Sequence, residues 1–230
     1  GRTEDDQGRR RALTDRDFIY VWVDGVHFTI RLDEDRLAAL VVVGVRSDGT
    51  KEVIAIEDGY RESTESWLTV LRDLKGRGMR APALAIGDGA LGFWAAVREV
   101  WPETREQRCW VHRIANVLDK LPTRLQPQAK RALHDMMYAD TRATCEQAID
   151  RFTQDYEAKY PKAVKSLVTD VARLLTHFEF PAAHWKHIRT TNPIESTFAT
   201  VKLRTRVTKG AGSRTAGLAM AFKLLEAALR

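Results

Sequence analysis

Residues 20–31 read YVWVDGVHFTIR. Hydrophobic residues alternate as they do along a half-buried strand, yet Asp24 stands in the middle of the run. Two readings fit. Asp-Gly between alternating hydrophobics is the strongest short-range hairpin signal, so Asp24 and Gly25 would shape a turn, with VHFTIR returning as the second strand. In the other reading the strand is interrupted or ended by an acid placed to hold a cation. The residues that follow bear on the choice.

LAALVVVGV (37–45) is long, apolar and rich in β-branched residues, as in a central strand buried on both faces. SDGTKEVIAIE (47–57) predicts a turn at Asp48-Gly49 and a further strand. The period then changes. In STESWLTVLRDLKGRG (63–78), Ser63 or Thr64 can cap a helix, Trp67, Leu68, Leu71 and Leu74 recur at helical spacing, and Gly76 and Gly78 end it. APALAIGD (81–88) reads as a strand ending at Asp88, GALGFWAAVREVW (89–101) as a helix, and TREQRCWV (104–111) as a short strand. The expected order is strand, strand, strand, helix, strand, helix, strand.

From about Val111 to Trp185 the pattern is helical almost throughout, punctuated by Pro122, Pro127, Pro161 and Pro181. A last helical element runs from Asn192 to about Arg206. KGAGSRTAG (209–217) then breaks the chain before a final helix, LAMAFKLLEAALR.

The 230 residues are 44% apolar, enough for a sizeable core and too apolar for a disordered chain. The 37 Lys and Arg against 31 Asp and Glu give a net charge of +6, a balance that fits a polyanionic partner. Cys109 and Cys145 form no paired framework and no CxxC, which points to a reducing compartment and away from structural zinc. With no signal peptide and no long apolar run, the expectation is a soluble, cytoplasmic protein without a membrane partner. Residues 1–16, GRTEDDQGRRRALTDR, read as a charged tether.

Three acids stand out. Asp24 and Asp88 fall on strands, at the ends and edges where ligands of such sheets collect. The third, Glu195, lies in RTTNPIES. Each has a plainer explanation: a turn for Asp24, a helix cap for Asp88, and for Glu195 a capping box with Asn192 at the N-cap and Pro193 at N1. Yet Glu195, Ala199, Lys202 and Arg206 recur at i, i+4, i+7 and i+11 and share one helix face, beside an apolar stripe of Ile194, Phe198 and Val201. One helix would thus present an acid and then two cations, an order that suits a site for cutting nucleic acid; a solvated charged face is the alternative. Three carboxylates suit Mg²⁺ or Mn²⁺, expected as a pair of ions, because hard ions take oxygen ligands and leave positions for water and phosphate.

The order of elements, with an Asp on the first strand, an Asp after the fourth and a Glu on a late helix, resembles the ribonuclease H-like fold of the DDE transposases and integrases. VWVDGVH, IGDGALGFWAAVREVWPETREQRCWVHRIANVLDKLP and RTTNPIESTFATVKLRTRVTKG resemble the mutator-type transposases of bacterial insertion sequences, over roughly residues 18–230. The resemblance implies an α/β fold: a ribonuclease H-like mixed sheet with flanking helices, interrupted by an all-helical insertion. The expected divisions are the tether (1–16), a first part of the core (17–110), the insertion (111–186) and the rest of the core (187–230).

It implies further that Asp24, Asp88 and Glu195 form the catalytic, metal-binding triad, served by two Mg²⁺ or Mn²⁺ ions. The family carries Cys or Asp, two residues, then His after the second acid. Here these are Cys109 and His112, which would border the active site. As a zinc site the pair lacks two ligands, and as plain core it is equally at home. The implied activity is cleavage at transposon ends and transfer of the 3′-OH into target DNA, by a homo-oligomer acting on DNA in the nucleoid. Lys202, Arg204, Arg206, Lys209 and Arg214 would hold phosphates without reading bases. Rival expectations are a ribonuclease H-like nuclease that hydrolyses without joining, and a non-catalytic DNA-binding or assembly module. Family members carry an N-terminal region that recognises the terminal inverted repeats; ahead of Tyr20 this sequence has only the charged stretch, so a catalytic core taken from a longer transposase is expected.

Overall fold

The computed structural model describes residues 11–29, 36–58, 63–89, 91–207 and 214–229. The chain divides into two compact units, one of Gly1–Glu106 with Thr191–Arg230, the other Gln107–Thr190.

The first unit is built on a mixed sheet of β1 (Phe18–Thr29), β2 (Arg36–Arg46), β3 (Lys51–Asp58), β4 (Leu84–Gly87) and β5 (Arg105–Arg108), in the spatial order β3-β2-β1-β4-β5. β1 and β2 pair antiparallel, as do β2 and β3, whereas β1 and β4 are parallel. The first antiparallel strands need only turns between them. The parallel step from β3 to β4 needs a crossover, supplied by helix α1 (Thr64–Gly76). Helix α2 (Leu91–Val100) joins β4 to β5. Three antiparallel strands followed by two reached through helices make the ribonuclease H-like arrangement, and the expected order of elements is met in full.

Local chemistry sets the element ends. Ser63 caps α1 by accepting from the Ser66 amide at 3.2 Å, and Gly78 follows it at φ 95°, in the left-handed region. The Asp48-Gly49 turn forms as expected: Gly49 has φ 87° and the Asp48 carboxylate accepts from the Thr50 amide at 2.8 Å.

Side chains alternate across the sheet. Val21, Val23, Val42 and Ala85 pack with Trp67, Leu71, Leu74, Phe93, Trp94 and Val97 of α1 and α2. The opposite face, carrying Trp22, Val41, Val43 and Ile86, is equally buried. On it, helix α9 (Asn192–Val207) lies against β1, and α10 (Arg214–Leu229) against β3 and β2. Fully burying a large side chain of this kind stabilises by roughly 1.5–3 kcal/mol, so both helix pairs are held firmly to the sheet.

Residues 1–10 of the expected tether lie outside the described residues. Residues 11–16 are packed: Leu13 is fully buried and its amide donates to the Arg77 carbonyl at 2.8 Å. Arg11, Arg16 and Arg46 all pair with Glu52, which is 12% exposed. A single leucine among charges was too weak a signal for this anchoring, which depends on an acid 36 or more residues away.

The second unit is helical, with α3 (Trp110–Leu118), α4 (Gln126–Met137), α5 (Arg142–Tyr156), α6 (Pro161–Val168), α7 (Val171–Leu174) and α8 (Trp185–Ile188). Pro161 opens α6 and Pro127 lies in the first turn of α4, where the missing N–H costs nothing. Trp110, Val117, Leu133, Met136, Cys145, Phe152 and Leu167 form its core. Gln107, fully buried, ties its ends together: the side-chain amide donates to the carbonyls of Arg108 and Leu174, and its oxygen accepts from the His177 amide at 2.6 Å.

Candidate active site

Asp24 lies inside an unbroken strand. β1 stays in register with β2 through the Asp-Gly pair, Asp24 opposite Val41 and Gly25 opposite Leu40. The hairpin turn that Asp24-Gly25 signals locally is therefore absent. Pairing with β2 along the whole of β1, and burial of Val26 beyond the glycine, outweigh the turn propensity of two residues. Asp24 is half-buried among nearly fully buried neighbours.

Asp88 follows the last residue of β4. The parallel pairing places Tyr20 beside Leu84, Val21 beside Ala85 and Trp22 beside Ile86. Asp24 and Asp88 each stand two residues past Trp22 and Ile86, so they occupy equivalent positions on adjacent strands, which run about 4.8 Å apart. The period-2 alternation puts both on the Trp22/Ile86 side, the side on which α9 meets β1.

Gly87 makes this closeness sterically feasible. A Cβ there would lie 3.0 Å from Val23 Cγ2 and 3.3 Å from the Trp94 ring. Trp94 also fixes the backbone of the acid itself, since its indole N–H donates to the Asp88 carbonyl at 2.9 Å. Asp88 is three residues ahead of Leu91, the first residue of α2, so it is not that helix's N-cap.

Glu195 sits in the first turn of α9, one position later than the capping-box reading placed it. The Thr191 carbonyl accepts from the Glu195 amide at 3.1 Å, which makes Thr191 the N-cap, Asn192 N1, Pro193 N2 and Glu195 N4. The carboxylate accepts from the buried Thr191 hydroxyl at 2.5 Å. Ile194 and Phe198 are buried, Glu195 is half-buried and Ala199 is exposed, so the acid flanks the docked stripe as the i, i+4 spacing required. Thr191 and Trp94 were not singled out from sequence; a threonine ahead of Asn-Pro and a tryptophan six residues after an acid have many uses.

Like charges on neighbouring strand positions repel. A hard divalent cation relieves that repulsion, and carboxylate oxygens are its preferred donors. Among the described residues, Asp24, Asp88 and Glu195 do not form a group in which one oxygen of each lies within 4.8 Å of the other two.

Lys202, Arg204 and Arg206 follow Glu195 along α9 and Arg214 opens α10, but their side chains, and all of Lys209, lie outside the described residues. Cys109 and His112 belong to the helical unit, Cys109 as the buried N-cap residue of α3 and His112, half-buried, in its first turn.

The model of the family "Transposase, Mutator family" matches residues 6–225. This chain belongs to the mutator family of transposases. It is 58% identical over 218 residues to the transposase for insertion sequence element IS6120 of Mycolicibacterium smegmatis, covering 95% of this chain and 68% of that one. Identity to the transposase for IST2 of Acidithiobacillus ferrooxidans is 53% over 197 residues, covering 85% and 67%. Among solved structures, the HTLV-2 integrase catalytic core domain in complex with magnesium is similar at 17% identity and a TM-score of 0.30, covering 55% of this chain and 88% of that one. The strand order of the transposase chain carries the ribonuclease H-like assignment by itself. No described helix is long and apolar enough to cross a membrane.

Proposed function

We propose that the chain is the catalytic part of a DDE transposase that cleaves at transposon ends and joins the freed 3′-OH to target DNA, with Asp24, Asp88 and Glu195 as its catalytic acids. The observation that supports this reading is the equivalent strand position of Asp24 and Asp88 on β1 and β4, with Glu195 in the first turn of α9, the helix that lies against β1. Family membership supports the same reading.

Carboxylate oxygens are the donors that Mg²⁺ and Mn²⁺ prefer, and each of the three acids sits on, or directly follows, an element fixed by buried neighbours. Asp24 and Asp88 would ligate the two ions and Glu195 would complete the second. Bound there, the ions supply activation of the attacking oxygen and stabilisation of the leaving one. The chain's own part is positional. Trp94 holds the Asp88 backbone, Gly87 lets β4 approach β1, and Thr191 orients Glu195. Lys202, Arg204, Arg206, Lys209 and Arg214 would neutralise backbone phosphates, sequence-independently.

Two displacements follow. In the first, the oxygen of water bonds to phosphorus at the transposon end and the P–O3′ bond breaks; the water proton is released as the 3′-oxygen takes one up. In the second, that 3′-oxygen bonds to a target phosphorus, and the target's P–O3′ bond breaks to leave a new 3′-OH. A homo-oligomer on DNA, bridging two transposon ends, is the assembly this chemistry calls for. A labelled transposon end incubated with target plasmid in Mg²⁺, Mn²⁺, Ca²⁺ or EDTA tests the proposal. Joined products in Mg²⁺ or Mn²⁺ and none in EDTA are expected. Cut but never joined ends would leave a nuclease, and metal-independent binding without cutting would leave an assembly module.

A further inference from the structure

The positive charge of the chain is unevenly distributed. Residues 107–190 contain 14 Lys and Arg against 9 Asp and Glu, so this helical unit carries +5 of the net +6. Part of that charge is organised. α3 and α6 pack against each other, and between them lies a cavity of about 340 Å³ lined by Arg113, Asn116, Lys162, Lys165, Ser166 and Thr169. Lys162, Lys165, Ser166 and Thr169 recur at i, i+3, i+4 and i+7, and Arg113 and Asn116 at i, i+3, so one polar stripe of each helix faces the groove.

No carboxylate lines the cavity. The acid that acts on Arg113 is Asp170, and two other arginines engage it, Arg173 at 2.9 Å and Arg108 at 3.5 Å. The Arg113 guanidinium itself is anchored, donating to the carbonyls of Ser166, Leu167 and Thr169 at the end of α6. Lys162 and Lys165 are exposed. The Thr169 hydroxyl already donates to the Lys165 carbonyl at 2.6 Å; a fixed guanidinium, two exposed ammonium groups, an amide and the Ser166 hydroxyl match the donors that position a nucleic-acid backbone without reading bases.

We infer that the groove between α3 and α6 holds backbone phosphates of duplex DNA, giving the helical unit a DNA contact of its own. This rests on the proposed action on DNA and adds a surface outside the carboxylate site. The test is fluorescence anisotropy of the full chain with a random-sequence duplex across a salt series, for the parent, for Lys162→Gln/Lys165→Gln, and for the control Lys130→Ala/Arg131→Ala. The control removes the same charge from exposed positions of α4. Melting curves establish that each variant folds.

The groove variant is expected to lower the magnitude of the slope of log K against log salt by about two, at ~0.9 per lost phosphate contact, and the control by much less. Equal changes in the two double variants overturn the inference, because a general field would then replace a groove. A parent that binds with an unchanged slope in the groove variant overturns the groove alone. If the parent binds no duplex, the groove and the proposed function fall together.

Discussion

Burial of His177 makes the helical unit sensitive to acid. The ring is fully buried, between Phe178 at 4.2 Å and Trp185 at 5.9 Å between centroids, with Nδ1 3.3 Å from the Leu174 carbonyl. Its Nε2 has no hydrogen-bond partner among the described residues. Desolvation therefore lowers its pKa from 6.5 to about 4. The unfolded chain takes up a proton below about pH 6.5, the folded chain only near 4. Stability is thus fully present above 6.5 and is lost progressively as the pH falls to 4. A separation of about 2.5 units corresponds to about 3 kcal/mol. The assay is urea unfolding followed by far-UV circular dichroism at pH 7.5 and pH 4, on the parent and on His177→Leu. The readout is the difference between their pH dependences, so any fixed cost of the substitution cancels. The parent should lose about 3 kcal/mol more than the variant over that range. Equal losses would refute the reasoning, since His177 would then titrate alike in both states.

Gly87→Ala inserts a methyl 3.0 Å from Val23 Cγ2, which should cost about 1 kcal/mol in a thermal melt and reduce strand joining by more than that loss explains, because β4 is displaced beside Asp24; a variant that melts and joins like the parent contradicts it. Glu52→Gln leaves Arg11, Arg16 and Arg46 without their shared carboxylate. Stability should fall by roughly 2 kcal/mol at low salt, below the range for fully buried pairs because the site is partly exposed, and recover in part at 1 M NaCl; a loss unaffected by salt counts against it.

Elements with strong periodicity were legible from sequence. Trp67, Leu68, Leu71 and Leu74 all became buried on α1, and Asp48-Gly49 made its turn. The same dipeptide at Asp24-Gly25 did not, although its local signal is as strong. The difference lies in β2, which pairs with β1 on both sides of Gly25 and so selects extended backbone. Local propensity cannot report a partner strand. The start of α9 was misplaced by one residue for a related reason: Asn192 and Thr191 are both good caps, and only the Thr191 carbonyl's bond to the Glu195 amide decides between them. The helical pattern of 111–186 was clear, but the unit runs from Gln107 to Thr190 because a buried glutamine side chain, with no periodic signature, closes it. Asp24 and Asp88 could be nominated by residue type and strand position; their side-by-side register is a product of the β1-β4 pairing.

Mn²⁺-induced stabilisation reports whether that register builds a metal site. Melting curves of the parent, Asp24→Asn and Asp88→Asn are compared in EDTA and in Mn²⁺. A ligand that binds only the folded state at a hundredfold excess over its Kd stabilises by about 2.7 kcal/mol. The parent should gain stability of this order, while both variants should melt no lower than the parent in EDTA and lose most of the gain. Variants stabilised by Mn²⁺ as fully as the parent would contradict this expectation, because Asp24 and Asp88 would then not share a metal site.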